Sequence, residues 1–138
     1  MRIIAELQNS EGRHEVTLRT DGNVHSLSIP PKSTGFGSSA NGGELLFLAL
    51  ATCYCNDIYR EATQRGISVR HVEVTVEGDF GAAGEPARNV TYNAKVSAQA
   101  TEGEIMNLMK HTDTVAEIQN TLRTATSVRF NLIEAKSV

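Results

Sequence analysis

The chain reads as an α+β domain, and three observations support that expectation. Apolar and polar residues alternate with period two in the first third, again through residues 72–98, and once more near the end. One long helical run separates the first two of these regions. Two capping patterns then follow in succession. The order is strands, long helix, strands, short helices and a last strand, with residues 1–138 expected to form a single domain.

A strand-like run opens the chain at "MRIIAELQNSEGRHEV". His14, Val16 and Leu18 then alternate with Glu15, Thr17 and Arg19, the pattern of a half-buried strand. Asp21-Gly22-Asn23 turns the chain, and His25, Leu27 and Ile29 alternate again, which predicts a hairpin. Ile29 to Gly43, "IPPKSTGFGSSANGG", is rich in Pro, Gly and Ser and is a loop of fifteen residues, a length that is often functional.

Asn41 with Glu44 three positions on predicts a helix start, and Gly66 predicts its stop. The first half of this helix (Leu45, Leu46, Phe47, Leu48, Leu50) is apolar on every side, and the second half (Asp57, Arg60, Glu61, Gln64, Arg65) reads as solvated. Each large apolar side chain left in water forfeits about 1.5–3 kcal/mol. One small sheet covers one side of such a helix, so a further surface is needed, and a homodimer is expected to supply it. Val72, Val74 and Val76 mark the next strand. "GAAGEPA" (Gly81 to Ala87) joins it to another, marked by Val90, Tyr92, Ala94, Val96 and Ala98. Thr101 with Glu104 and Thr114 with Glu117 predict two helices broken near His111. Their buried faces would be Ile105, Leu108 and Met109, then Val115, Ile118 and Leu122. Val128, Phe130 and Leu132 predict the closing strand.

Composition narrows the function. Of 138 residues, 40% are hydrophobic and 21% charged, with a net charge of −3. A mildly acidic protein attracts neither nucleic acid nor an anionic membrane surface. The run from Leu45 to Ala51 is far short of the roughly 20 residues of a membrane helix, and the first six residues are already charged, unlike a secretory signal. A cytoplasmic protein with reduced thiols is expected.

Cys53 and Cys55 are the chain's two cysteines. Two positions apart on a helix they point to nearly opposite sides, which disfavours a bond between them. A metal site would need further ligands, and His14, His25, His71 and His111 are scattered singly, so no metal is expected. Each cysteine reads first as a small buried hydrophobe, the commoner case for a free cysteine, and second as a reactive thiol. An unperturbed thiol is mostly protonated at neutral pH, and Asp57 one turn beyond Cys53 would raise its pKa further. Activation then requires a cation, with Arg19, His25 and Arg60 available. Glu44 could orient such an arginine or could serve only as the capping glutamate. His111 and Asp113 could form an acid–base pair, or His111 could simply favour a helix C-terminus. The glycines of "GFG" and "NGG" lack the lysine of a phosphate loop.

The run "NGGELLFLALATCYC", the "RTDG" hairpin before it and the order of elements to the end resemble the OsmC/Ohr family, the osmotically inducible and organic hydroperoxide resistance proteins. The resemblance implies an intertwined homodimer with antiparallel sheets and long central helices. In active members it implies two cysteines, an arginine and a glutamate at the dimer interface. Cys53 matches the peroxide-attacking cysteine, whereas Ala116 stands about where the second would be. The family arginine immediately precedes Asp-Gly, and Arg19 is one residue further back. The family glutamate falls at Gly43, with Glu44 adjacent. The implied activity is a thiol-dependent organic hydroperoxide reductase, without cofactor, in which Cys53, Arg19 and Glu44 act and an external thiol completes the cycle. The alternative is a non-enzymatic protein of the same fold that binds a small molecule.

Overall fold

Asp21 and Gly22 both take positive φ, 48° and 87°, in a computed structural model that describes residues 1–131 and 134–138. They form the two-residue loop of a hairpin, the turn whose twist matches its strands. Around it lies a three-stranded antiparallel meander of β1 (Ile3–Ser10), β2 (Arg13–Thr20) and β3 (Asn23–Ser26). Asp21 also accepts a hydrogen bond from the Arg2 backbone N–H at 2.8 Å, tying the start of the chain to the turn.

β3 ends sooner than the alternation predicts, because Pro30 and Pro31 offer no N–H to a ladder. Leu27 still donates to Val16, but Ile29 lies in the loop. That loop is ordered from β1. The Asn9 side chain accepts from the Gly37 N–H at 2.9 Å and donates to the Gly37 carbonyl at 3.2 Å, imitating a strand partner. These elements belong to the first of two compact units, Met1–Leu46, and the second is Phe47–Val138.

Helix α1 (Gly42–Gln64) begins and ends where its caps predict. Asn41 and Glu44 form a reciprocal box, with N···O distances of 2.7 and 2.9 Å. At the other end Ile67 N–H reaches Ala62 O and Gly66 N–H reaches Thr63 O, with Gly66 at φ 65°. This is a Schellman stop that requires a left-handed residue.

In the second unit the hairpin of β4 (Ser68–Asp79) and β5 (Arg88–Gln99) follows the predicted alternation. Tyr54, Ile58 and Ala62 of α1 form the core with Leu108, and Val72, Val74, Tyr92, Ala94 and Val96 pack against it. The second half of α1 is therefore not simply solvated, as its composition suggests: Asp57 and Glu61 are buried. One face of that half carries the core, and the carboxylates on its margin are covered with it.

Helices α2 (Glu102–Val115) and α3 (Glu117–Arg123) are separated at Ala116, not near His111. The Thr101–Glu104 capping box forms as predicted. The one predicted at Thr114 does not, since the Thr114 hydroxyl donates back to the His111 carbonyl at 2.6 Å. Ala116, extended and fully buried, is the break. Leu108 is buried and Ile105, Met109, Val115 and Ile118 are half-buried, but Leu122 is exposed, because α3 ends one residue later and its buried side is occupied by Gln119. Among the described residues Val128 and Phe130 form no strand and are 95% and 86% exposed, so the closing strand does not form there; Leu132 lies outside the described residues.

Candidate active site

Cys53 lies one turn before Asp57 on α1, so helix geometry alone brings the two side chains together. The thiol donates to Asp57 Oδ2 at 3.4 Å. Asp57 Oδ1 is held by Arg60 Nη1 at 2.7 Å, an i,i+3 ion pair on the same helix. The second contribution comes from α3. Glu117 places Oε1 3.2 Å from Arg60 Nη1 and Oε2 3.8 Å from Cys53 Sγ. The Gln119 side chain donates to the Leu50 carbonyl at 3.0 Å, fixing α3 against α1 at this point.

The network continues along α1. Arg60 Nε reaches Glu61 Oε1 at 3.1 Å, and His111 Nε2 lies 3.1 Å from Glu61 Oε2. His111 and Asp113 thus do not pair with each other. Asp113 accepts from the Tyr92 hydroxyl and from Arg123 Nη2, the latter at 2.6 Å.

The electrostatics around Cys53 within this unit disfavour its thiolate. Burial pushes its pKa up, and the charges of Asp57 and Glu117 add to that, against one lowering influence from the Ile118 backbone N–H. Burial likewise raises the Asp57 carboxyl, although Cys53 and Arg60 favour its charged form. Glu117 is held below its ordinary value by its own backbone N–H and by Arg60. For Asp113, burial works upward but the bonds from Tyr92 and Arg123 outweigh it and hold the carboxyl low.

Cys53, Asp57 and Glu117 bring three possible ligand atoms within 4.8 Å of one another. Arg60 already bonds to both carboxylates, and the thiol donates to one of them. The group is thus a self-satisfied hydrogen-bonded network. Cys55 is a free, half-buried thiol, as is Cys53. Arg19 and Glu44 find their partners within the first unit. Arg19 pairs with Glu6 on β1 at 3.0 Å, and Glu44 closes the α1 capping box. Apart from the residues of this network, an open groove of about 540 Å³ is lined by Tyr54, Tyr92, Ala94, Met109, Lys110 and Asp113.

Residues 35–131 match the family model described as OsmC-like protein. The chain belongs to the OsmC-like family. No curated protein gives a significant sequence match. Among solved structures, an OsmC-like protein from Mycoplasma pneumoniae aligns with TM-score 0.59 and 18% identity, over 87% of each chain. An OsmC-like hydroperoxide resistance protein from Jannaschia aligns with TM-score 0.58 and 14% identity, over 98% of this chain and 93% of that one. An organic hydroperoxide resistance protein OsmC from Legionella pneumophila gives 0.53 and 23%, over 89% and 90%. The fold is therefore the OsmC-like α+β fold, and no helix among the described residues is long and apolar enough to cross a membrane.

Asp57 was legible as a neighbour of Cys53 from its spacing. Glu117 was not, because its only local signal was the capping pattern with Thr114 and its approach to the thiol depends on where α3 packs. The groove tyrosines carried no signal beyond strand alternation and a core helix position.

Proposed function

We propose that this OsmC-like protein is a thiol-dependent organic hydroperoxide reductase with Cys53 as its nucleophile. The observation that carries the reading is the Cys53 thiol itself, half-buried on the family's long helix with a proton acceptor at 3.4 Å. Proteins of the same fold from Jannaschia and Legionella bear hydroperoxide resistance in their names. Ala116 stands about where a second cysteine would be, so an external thiol must reduce the sulfenic acid.

Arg19 supplies the cation in this reading. Its pair with Glu6 is solvent-exposed and worth at most about 1 kcal/mol, so it presents little obstacle to another partner. Glu44 orients Arg19 while it caps α1. The reading takes residues 1–138 as one domain and the active form as a cytoplasmic homodimer. Leu48 on α1, 58% exposed, and the exposed Ile3 and Leu7 on β1 are apolar surface that a second copy would cover.

Reduced protein should consume tert-butyl hydroperoxide with a small dithiol present. Cys53→Ser should abolish this and Cys55→Ser should leave most of it. Equal rates for wild type and Cys53→Ser would overturn the reading. Glu44→Gln retains the capping geometry and removes the charge, so a loss of rate in a fully helical variant assigns Glu44 to the chemistry. Sedimentation of a stable monomer at micromolar concentration would remove the dimer. A second reading, a protein that binds a small molecule without reaction, is favoured by the open groove between Tyr92 and Lys110 and by the raised thiol pKa. Ligand-induced thermal stabilisation without peroxide consumption would select it.

A further inference from the structure

We propose that the groove between β5 and α2 binds a small carboxylate with an aromatic body, at a site separate from the Cys53 network. This gives the groove a ligand class, and it stands whether or not Cys53 reduces peroxides. All of its lining residues belong to the second unit, so one chain builds it. β5 supplies Tyr92 and Ala94, α2 supplies Met109, Lys110 and Asp113, and α1 supplies Tyr54. Its volume of about 540 Å³ is that of a small-molecule site, for which about 300–1,000 Å³ is usual.

The lining sets the body of the ligand. Tyr54 is buried, and Tyr92, Ala94 and Met109 are half-buried. The two tyrosine rings are tilted by 59° with centroids 5.0 Å apart, an arrangement that a third ring extends favourably. Met109 adds a thioether, which also favours an aromatic neighbour. Both hydroxyls are already committed within the protein. Tyr54 donates to the Met109 carbonyl at 2.9 Å, and Tyr92 donates to Asp113. What the tyrosines offer a ligand is therefore ring surface.

Charge sets the other end of the ligand. Burial raises the pKa of both tyrosines, so neither adds a charge near pH 7. The Asp113 carboxylate is matched by Arg123 Nη2 at 2.6 Å. Lys110 is left over. It is exposed, and among the described residues it enters no ion pair. Its ammonium has three donors and no acceptor, so it calls for an anion. A single ammonium is a point charge that suits a monoanion, without the guanidinium fork that grips phosphate at two oxygens.

The test is calorimetric titration of the full chain with 3-phenylpropionate near pH 7. A dissociation constant on the order of 1 mM or tighter is expected, with a shift of the Met109 methyl resonance. 3-Phenylpropionamide keeps the shape without the charge, and 3-cyclohexylpropionate keeps the charge without the π face. Each should bind about fivefold more weakly. Lys110→Met should weaken 3-phenylpropionate binding by about the same factor. Lys110→Glu should reverse the preference and select 3-phenylpropylamine, a gain that a misfolded protein would not show. Cys53→Ser should bind 3-phenylpropionate as wild type does, which keeps this site distinct from the reductase chemistry. No heat and no Met109 shift at ~20 mM ligand overturns the proposal. So does a Lys110→Met protein that binds as tightly as wild type, or a wild type that prefers the amine. Binding lost in Cys53→Ser would place the ligand at the thiol and overturn the separate site. Peroxide consumption absent from wild type, with binding intact, would remove the reductase reading alone.

Discussion

Along α1, Leu48 is 58% exposed whereas Ile58, three turns further on, has no exposed surface. The first half of the helix is the more apolar and the second the more charged, yet the second half carries the core. Burial followed the partners available and not the composition. Ile58 meets Leu108 of α2 and the β4–β5 hairpin, and Asp57 and Glu61 on the margin of that contact are covered with it. Their charges are tolerated because Arg60 and Arg65 pair with them and His111 lies within hydrogen-bond distance of Glu61. Among the described residues Leu48 stays more than half exposed.

The strongest way to break this comparison is truncation on both halves. Ile58→Ala should cost about 2–4 kcal/mol in chemical denaturation, through lost transfer energy and the cavity left. Leu48→Ala should cost under about 0.5 kcal/mol in a monomer. A large, concentration-dependent loss for Leu48→Ala would show that a second copy covers it, and the two halves would then be alike.

A smaller effect tests the edge of the core. The Tyr54 hydroxyl donates to the Met109 carbonyl at 2.9 Å, and burial, with Asp113 nearby, pushes its pKa up to about 12. The folded state holds this proton more tightly than the unfolded chain, whose tyrosine titrates near 10. Its stabilising effect is thus complete below about pH 10 and is lost as pH rises through about 12. Tyr54→Phe should lose about 1 kcal/mol at neutral pH and flatten the alkaline unfolding limb.

Carboxyl titration by NMR should separate the two buried acids of the charged half. Asp57, raised mainly by burial, should take up its proton above the usual carboxylate range. Glu61, held low by Arg60 first and His111 second, should do so below it. Their linkage has opposite signs. The Glu61 contribution is present above the ordinary carboxylate pKa and fades as pH falls through the lowered value, whereas a charged Asp57 opposes folding and its protonation relieves this. Two carboxyls titrating together at an ordinary value would remove the network.

The smallest expected change is in the first unit. Arg19→Ala breaks an exposed pair with Glu6 and should alter stability by less than about 0.5 kcal/mol. If Arg19 serves Cys53, the same substitution slows peroxide oxidation well beyond what that stability change could explain.

Local rules read from the sequence located both ends of α1, the Asp21-Gly22 turn, the β4–β5 pair and the first capping box, because each depends on residues within a few positions of one another. The same reading placed Asp57 beside Cys53, since i and i+4 share a helix face. The prolines that end β3 and the backward bond of Thr114 to His111 are local too, although period and capping patterns pass over them. Tertiary packing decided the rest. It brought Glu117 from α3 to within 3.8 Å of the thiol. Side chains more than sixty residues apart in the chain meet only when Gln119 and the buried Ala116 dock α3 on α1, and no local pattern encodes that contact. Period and capping are short-range properties of the backbone, whereas burial and charge pairing belong to whatever surface arrives from elsewhere.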